Sequence, residues 1–252
     1  MRTGLRRCAA MLLLSAGCAQ AQQQAPAPAA TPAAAPAPAP AQDQAPRLIG
    51  DIGLGISASP VPVAAQSRST SAVPYANFDY GPAFARIDTF GVKLAPAGYG
   101  SVELLTRVLE DGYRASAPPQ ERLRSSVPLG LGTLQVTPVG AFMANVYRDL
   151  GKSHGTMLDL MYAAEIDHDR FAFYPQAGIE YRSANYVRYY DGVARSASNP
   201  FAGLLVEARL SGHWYLVANV RRTWLDDSIR SNPAVRHRSL DSGLVALSYR
   251  FE

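Results

Sequence analysis

Apolar and polar residues alternate along much of the chain beyond Arg47. The stretch Phe171 to Arg182 shows the pattern most clearly. One parity holds Phe171, Phe173, Pro175, Ala177, Ile179 and Tyr181, and the other holds Ala172, Tyr174, Gln176, Gly178, Glu180 and Arg182. A period of two puts these sets on opposite faces of a β-strand. Phe171 and Tyr181 stand ten positions apart on the apolar face, about 33 Å of strand, which a tilt near 40° projects to roughly 25 Å. Trp214, Leu216, Ala218, Val220, Arg222 and Trp224 repeat the arrangement, again with aromatics ten positions apart. A soluble β-sandwich with aromatics at its strand ends would also alternate, but the repeated spacing matches the apolar band of an outer-membrane barrel.

Twelve such stretches are predicted: Leu48 to Ala58, Val73 to Tyr80, Ala83 to Asp88, Phe90 to Ala95, Ser101 to Leu109, Val127 to Val136, Gly140 to Asp149, Thr156 to Ile166, Phe171 to Arg182, Phe201 to Leu210, Trp214 to Trp224, and Ser242 to Phe251. None has helical periodicity. Bacterial barrels take even strand numbers, and ten is the alternative count because the early stretches are short. The fold class is therefore all-β, a closed antiparallel transmembrane β-barrel. With the C-terminus at the periplasmic side, Asp167–Arg170 and Ser211–His213 become periplasmic turns, and Ser183–Pro200 and Leu225–Asp241 become external loops. Tyr186, Tyr189 and Tyr190 then lie just beyond the outer aromatic Tyr181.

Composition supports this reading. Charged residues make up 17% of the 252, and 20 Gly and 19 Pro suit many turns. Outside the extreme N-terminus no apolar run is long enough for a helical span. That N-terminus reads as an export signal over residues 1–21: Arg2, Arg6 and Arg7, an apolar run, then Ala19–Ala21 before a cleavage point at Gln22. The alternative uses Cys18 as a lipidated first residue, although Ser15 stands where a branched aliphatic is usual. Both cysteines, Cys8 and Cys18, fall in this segment, so no disulfide or thiolate metal site is expected. Residues 22–46 are Ala/Pro-rich, with nothing bulky to bury, and read as a disordered periplasmic linker. The barrel is assigned to residues 47–252.

Candidate chemistry is sparse. Asp226, Asp227 and His237 share one external loop and offer an acid–histidine pair, but nothing in the sequence fixes its geometry. The "DHD" at 167–169 has only one imidazole for a metal and reads as a turn. No catalytic residue, metal or cofactor is expected. The inward parities are more informative, because they carry Glu103, Arg107, Asp159, Glu165, Glu180, Arg182, Glu207, Arg209, Arg221 and Arg250. With both signs present, pairing is expected to fill most of the lumen. The alternative is a narrow polar channel in which unpaired arginines favour anions. The predicted aromatic girdle is Phe171, Tyr181, Trp214, Trp224 and Phe251, with Arg222 placed to snorkel toward headgroups. Arg188, Arg195, Arg230, Arg236 and Arg238 lie in the two external loops, where a guanidinium fork suits the phosphates of outer-membrane lipid and lipopolysaccharide.

"YPQAGIEYRSANYVRYYDGV" (Tyr174 to Val193) is similar to a glycine- and aromatic-rich stretch of the MipA/OmpV outer-membrane proteins. "AVPYANFDYG" (Ala72 to Gly81) resembles their early strand and turn. "WLDDS" (Trp224 to Ser228) followed by "SGLVALSYRF" (Ser242 to Phe251) keeps the family's order, although Glu252 follows the aromatic that would otherwise be terminal. The resemblance implies a barrel in the outer membrane of a Gram-negative bacterium. For the name-giving member it implies a scaffold joining a murein-degrading lytic transglycosylase to a bifunctional, penicillin-binding murein synthase. It brings no catalytic residues, and no nucleic acid is expected as a partner.

Overall fold

The structure, a computed structural model, describes residues 46–59, 69–108, 126, 128–233, 235 and 237–252. The predicted signal segment, the linker before Pro46, Leu109, Val127 and Arg236 lie outside the described residues.

Its strands are β1 (Leu48–Ser59), β2 (Ser69–Tyr80), β3 (Ala83–Arg86), β4 (Thr89–Ala97), β5 (Gly100–Arg107), β6 (Pro128–Thr137), β7 (Gly140–Asp149), β8 (Thr156–Ala163), β9 (Ile166–His168), β10 (Phe171–Arg182), β11 (Ala197–Ser211), β12 (Trp214–Trp224) and β13 (Ser239–Phe251). Each pairs antiparallel with its neighbour, and β1 pairs with β13 from Gly50↔Phe251 to Ala58↔Gly243, which closes the sheet. β8 and β9 lie along the same edge of β10 and count as one staggered strand. Their break faces Pro175, whose carbonyl accepts from the Ala164 amide at 3.1 Å but which has no N–H to return. The result is a closed barrel of twelve strands. No helix among the described residues is long and apolar enough to cross a membrane.

Short turns and both described termini gather at one end, the turn end. The other, the loop end, carries two short helices, α1 (Ala184–Tyr190) and α2 (Asp227–Arg230). These correct the strand-only reading. The loops are also shorter than expected, because β11 begins at Ala197 and β13 at Ser239.

The alternation seen in the sequence is the alternation of the wall. On β1, Ile52, Leu54 and Ile56 face outward and exposed, while Asp51 is buried inside. On β12, Leu216 and Val220 face out whereas Tyr215 and Val217 face in and are buried. Apolar outside and polar inside inverts a soluble protein, as hydrocarbon around the wall requires.

Among the described residues the strands do not pair to an even height. β2 pairs with β1 along its full length but with β3 only over Asn77 to Tyr80. The β3–β4 hairpin turns back at Ile87 and Asp88, where the Ile87 amide donates to the Ala76 carbonyl at 2.7 Å. Ile87 holds φ of 56°, a left-handed conformation that a β-branched residue adopts only at a cost.

Packing between neighbouring strands also fixes where side chains are allowed. A Cβ at Gly53 would stand 2.0 Å from the Leu247 carbonyl oxygen, whereas one at Gly243 meets nothing closer than 3.7 Å. Gly53→Ala is therefore expected to cost about 1–3 kcal/mol, and Gly243→Ala to leave stability nearly unchanged, in urea unfolding of the refolded barrel. Equal effects would contradict this packing.

Candidate functional site: the ion-paired lumen and its plug

The lumen is a set of charge clusters built from inward parities. Near the turn end, Arg250 on β13 forks onto Asp51 of β1 at 2.7 and 2.6 Å and reaches Glu207 of β11 at 2.7 Å. Arg86 on β3 forks onto Glu103 of β5 at 2.7 Å through both nitrogens, and the Ser101 hydroxyl donates to the same carboxylate at 3.0 Å. Lys93 pairs with Asp79 at 2.8 Å. Toward the loop end, Arg107 binds Asp88 at 2.8 Å and Asp159 at 2.7 Å, with Glu180 at 3.6 Å. Glu180 also takes Arg182 at 2.6 Å and lies 3.7 Å from Arg221. Asp191, just past α1, is 3.9 Å from Arg182.

Bidentate, charge-assisted geometry of this kind offsets the desolvation that burying charges costs. Four of the arginines also lie over aromatic rings: Arg86 over Phe84, Arg182 over Tyr186, Arg221 over Phe201 and Arg250 over Tyr215, at 4.0, 5.3, 3.5 and 3.8 Å from the centroids. Stacking holds each guanidinium flat against the wall. Among the described residues, every one of these cluster cations has a carboxylate partner.

Of the ten inward charges read from the sequence, eight sit in these clusters. The other two, Glu165 and Arg209, stand exposed at the turn-end mouth, where Glu165 accepts from Tyr174 at 3.3 Å and Arg209 donates to the Gly212 carbonyl at 3.2 Å. Asp51, Asp79, Arg86, Asp88, Lys93 and Asp191 were missed. Asp51 was legible, because it shares a parity with Gly53, Gly55 and Ser57 opposite three large aliphatics. Arg86 ends a four-residue strand too short to show parity, and Lys93 lies on β4, which pairs with it.

The loop end is plugged. Tyr186 and Tyr190 on α1 are fully or nearly fully buried and pack with Phe84, Leu105, Tyr147 and Met157 of the inner wall. Tyr189 packs at the edge of this cluster, its ring centroid 4.9 Å from that of Tyr190. The tyrosine run thus follows Tyr181 at the loop end, as expected, and the structure adds that Tyr186 and Tyr190 turn inward to fill the mouth. A second cluster joins the loops, with Val187 of α1 against Ala197, Leu225 and Ile229. Asp226 caps α2: its carboxylate accepts from the amides of Ser228 at 2.8 Å and Ser198 at 3.0 Å. Asp227 pairs with Arg230, and His237 is exposed. The acidic groups of the suggested acid–histidine pair are thus committed to structure.

On the outer face, Phe171, Tyr181, Trp214, Trp224 and Phe251 are all exposed. At the turn end Trp214 meets Tyr249 edge-on at 5.4 Å, and Tyr249 meets Phe251 at 5.1 Å. Arg222 does not reach away from the wall. It forks onto Asp241 of β13 at 2.6 and 2.7 Å on the same outward face. Arg188, Arg195, Arg230 and Arg238 are exposed at the loop end.

A protein-family model described as MltA-interacting protein MipA matches residues 52–251. The chain belongs to the MipA family. No individual curated protein matches it. The MipA match begins at Ile52 and ends at Phe251, so it takes in the β1–β13 seam, both loop-end helices and every lumen cluster except the Asp51 carboxylate. Family membership and the closed barrel together make this an outer-membrane barrel protein.

Burial lowers nothing at Asp226 by itself; it opposes ionisation, but the Ser228 and Ser198 amides outweigh it and hold the carboxyl below the usual carboxylate range. A depressed folded value stabilises above the unfolded one and is lost as pH falls through the folded value. Asp226→Ala should cost about 1 kcal/mol at neutral pH. The difference from the parent should shrink on acidification below the carboxylate range, read by urea unfolding across pH. A constant difference would contradict the capping role.

Proposed function

We propose that the protein is a non-enzymatic envelope scaffold, held in the outer membrane with its turn end toward the periplasm and its loop end outside. The observation that carries this reading is the closed lumen: paired charges line its length and α1 packs into its mouth. A barrel filled in this way offers surfaces instead of a conduit. The family's description names an interaction with MltA, and for this chain a lytic transglycosylase and a penicillin-binding murein synthase are the partners proposed. Both work on murein, so they meet the turn end or the N-terminal segment. That segment is proposed as an export signal over residues 1–21 and a linker over residues 22–46.

Two further roles belong to the same reading. Phe171, Tyr181, Trp214, Trp224 and Phe251 form the girdle that fixes the barrel's depth. Arg188, Arg195, Arg230, Arg236 and Arg238 are proposed to meet lipopolysaccharide phosphates.

Planar-bilayer recording on the purified barrel and pull-down from crosslinked envelopes test the proposal together. The expected result is no steady conductance, with murein enzymes among the captured proteins. Steady, ion-selective openings without such capture would replace the scaffold by a small-solute channel of the same fold.

A further inference from the structure

Among the described residues the outward face carries one ion pair made across two strands, Arg222 of β12 with Asp241 of β13. The two are register partners, one outward position inside Trp224 and Ser239. Their side chains stay 56% and 49% exposed, so in a membrane both charges border hydrocarbon, where charged groups without further partners are costly. Asp241 takes Nε and Nη2 of the guanidinium, and Nη1 makes no hydrogen bond to the described residues.

A shallow hollow in the outer wall lies beside this pair, lined by Ala58, Ala202, Val220, Gly243 and the pair itself. Its floor is made of small residues: Ala202 is the register partner of Arg222 on β11, and Ala58 is that of Gly243 on β1. The barrel's own packing does not ask for glycine at 243, because a Cβ there would meet nothing closer than 3.7 Å. Val220, the register partner of Gly243 on its other side, stands 58% exposed. Small residues around a polar contact are what lets two membrane-embedded backbones come close.

We propose that this patch is the interface of a homodimer, its two-fold axis running between Arg222 and Asp241. Two copies inserted in the same direction and related by a two-fold have that axis along the membrane normal. A half-turn about it exchanges left and right at one depth, so each Arg222 comes opposite the partner's Asp241 and the four charges alternate. Nη1 then finds the second carboxylate. Strands tilted by about 40° cross between the two walls, which confines contact to the neighbourhood of the axis, where Ala58, Ala202, Ser239 and Gly243 let the backbones approach. A lipid phosphate fits less well, because Asp241 already neutralises Arg222 and repels a second anion. A neutral pair of opposite charges is complementary to its own rotated copy. The inference rests on the barrel spanning a membrane and is independent of which partner meets the turn end.

The test uses the full chain refolded into phospholipid vesicles under reducing conditions, which keep Cys8 and Cys18 from joining chains. Copies carry a donor or an acceptor dye at the N-terminus, and energy transfer is followed as added lipid dilutes the protein. The parent should transfer energy as a dimer. Arg222→Asp and Asp241→Arg each put like charges across the axis, so each alone should dissociate at protein densities about tenfold higher or more. Mixed together, the two variants set paired carboxylates opposite paired guanidiniums, and transfer between them should return although the pair within each chain stays broken. Gly243→Leu, which fills the hollow without touching the charges, should also dissociate more readily. Heat-modifiable gel mobility checks that each variant is folded. A parent that transfers no energy beyond chance proximity would overturn the dimer and leave the hollow to lipid. Single variants that dimerise like the parent, or a mixture no better than either variant alone, would overturn this interface.

Discussion

Closure of the sheet is the constraint on which everything else depends. A strand in hydrocarbon has no water to satisfy its N–H and C=O groups, so each must find a neighbour around the ring. Here the ring closes where β1 meets β13, between residues almost a whole barrel apart in sequence. The seam is fixed from inside by Arg250, which stands on β13 and forks onto Asp51 of β1. A slip of one residue would turn Ile52, Leu54 and Ile56 into the lumen and Asp51 into lipid. Register, membrane facing and the lumen charge pattern are therefore one condition.

Closure also decides what the interior can hold. Twelve strands leave room for side chains and little more once arginines lie flat over Phe84, Phe201 and Tyr215. Each of these cations meets a carboxylate from another strand, so the charges work as cross-braces. At the loop end the two tyrosines of α1 complete the filling, and Val187 ties that helix to Leu225 and Ile229. A plugged barrel braced in this way has little freedom to rearrange, which is what the proposed scaffold role would use.

Much of this was legible in the sequence, and the reasons for success and failure are physical. β7, β10 and β12 begin and end where alternation and turn residues said they would, because lipid on one side and charge on the other leave a strong period of two. Eight of the inward charges in the clusters were readable by parity alone. Their partners were not, since no local pattern shows that Arg250 meets Asp51. The tyrosines of α1 were placed beyond Tyr181, but their turn into the mouth was not read, because a seven-residue helix is too short for a clear period. Tyr186, Val187 and Tyr190 do share one helical face, which was the signal available. The short β3 hid its parity, and with it Arg86.

The central claim is that opposite parities of one strand face lipid and a self-neutralising lumen. Unfolding free energies of Leu216→Arg and Asn219→Arg, measured in urea from the same vesicles, test it most directly. Leu216 faces out near mid-strand, so arginine there should cost about 2–4 kcal/mol. Asn219, inward and accepting from Gln176 at 3.0 Å, should tolerate arginine at far smaller cost. Equal losses at the two positions would contradict the account.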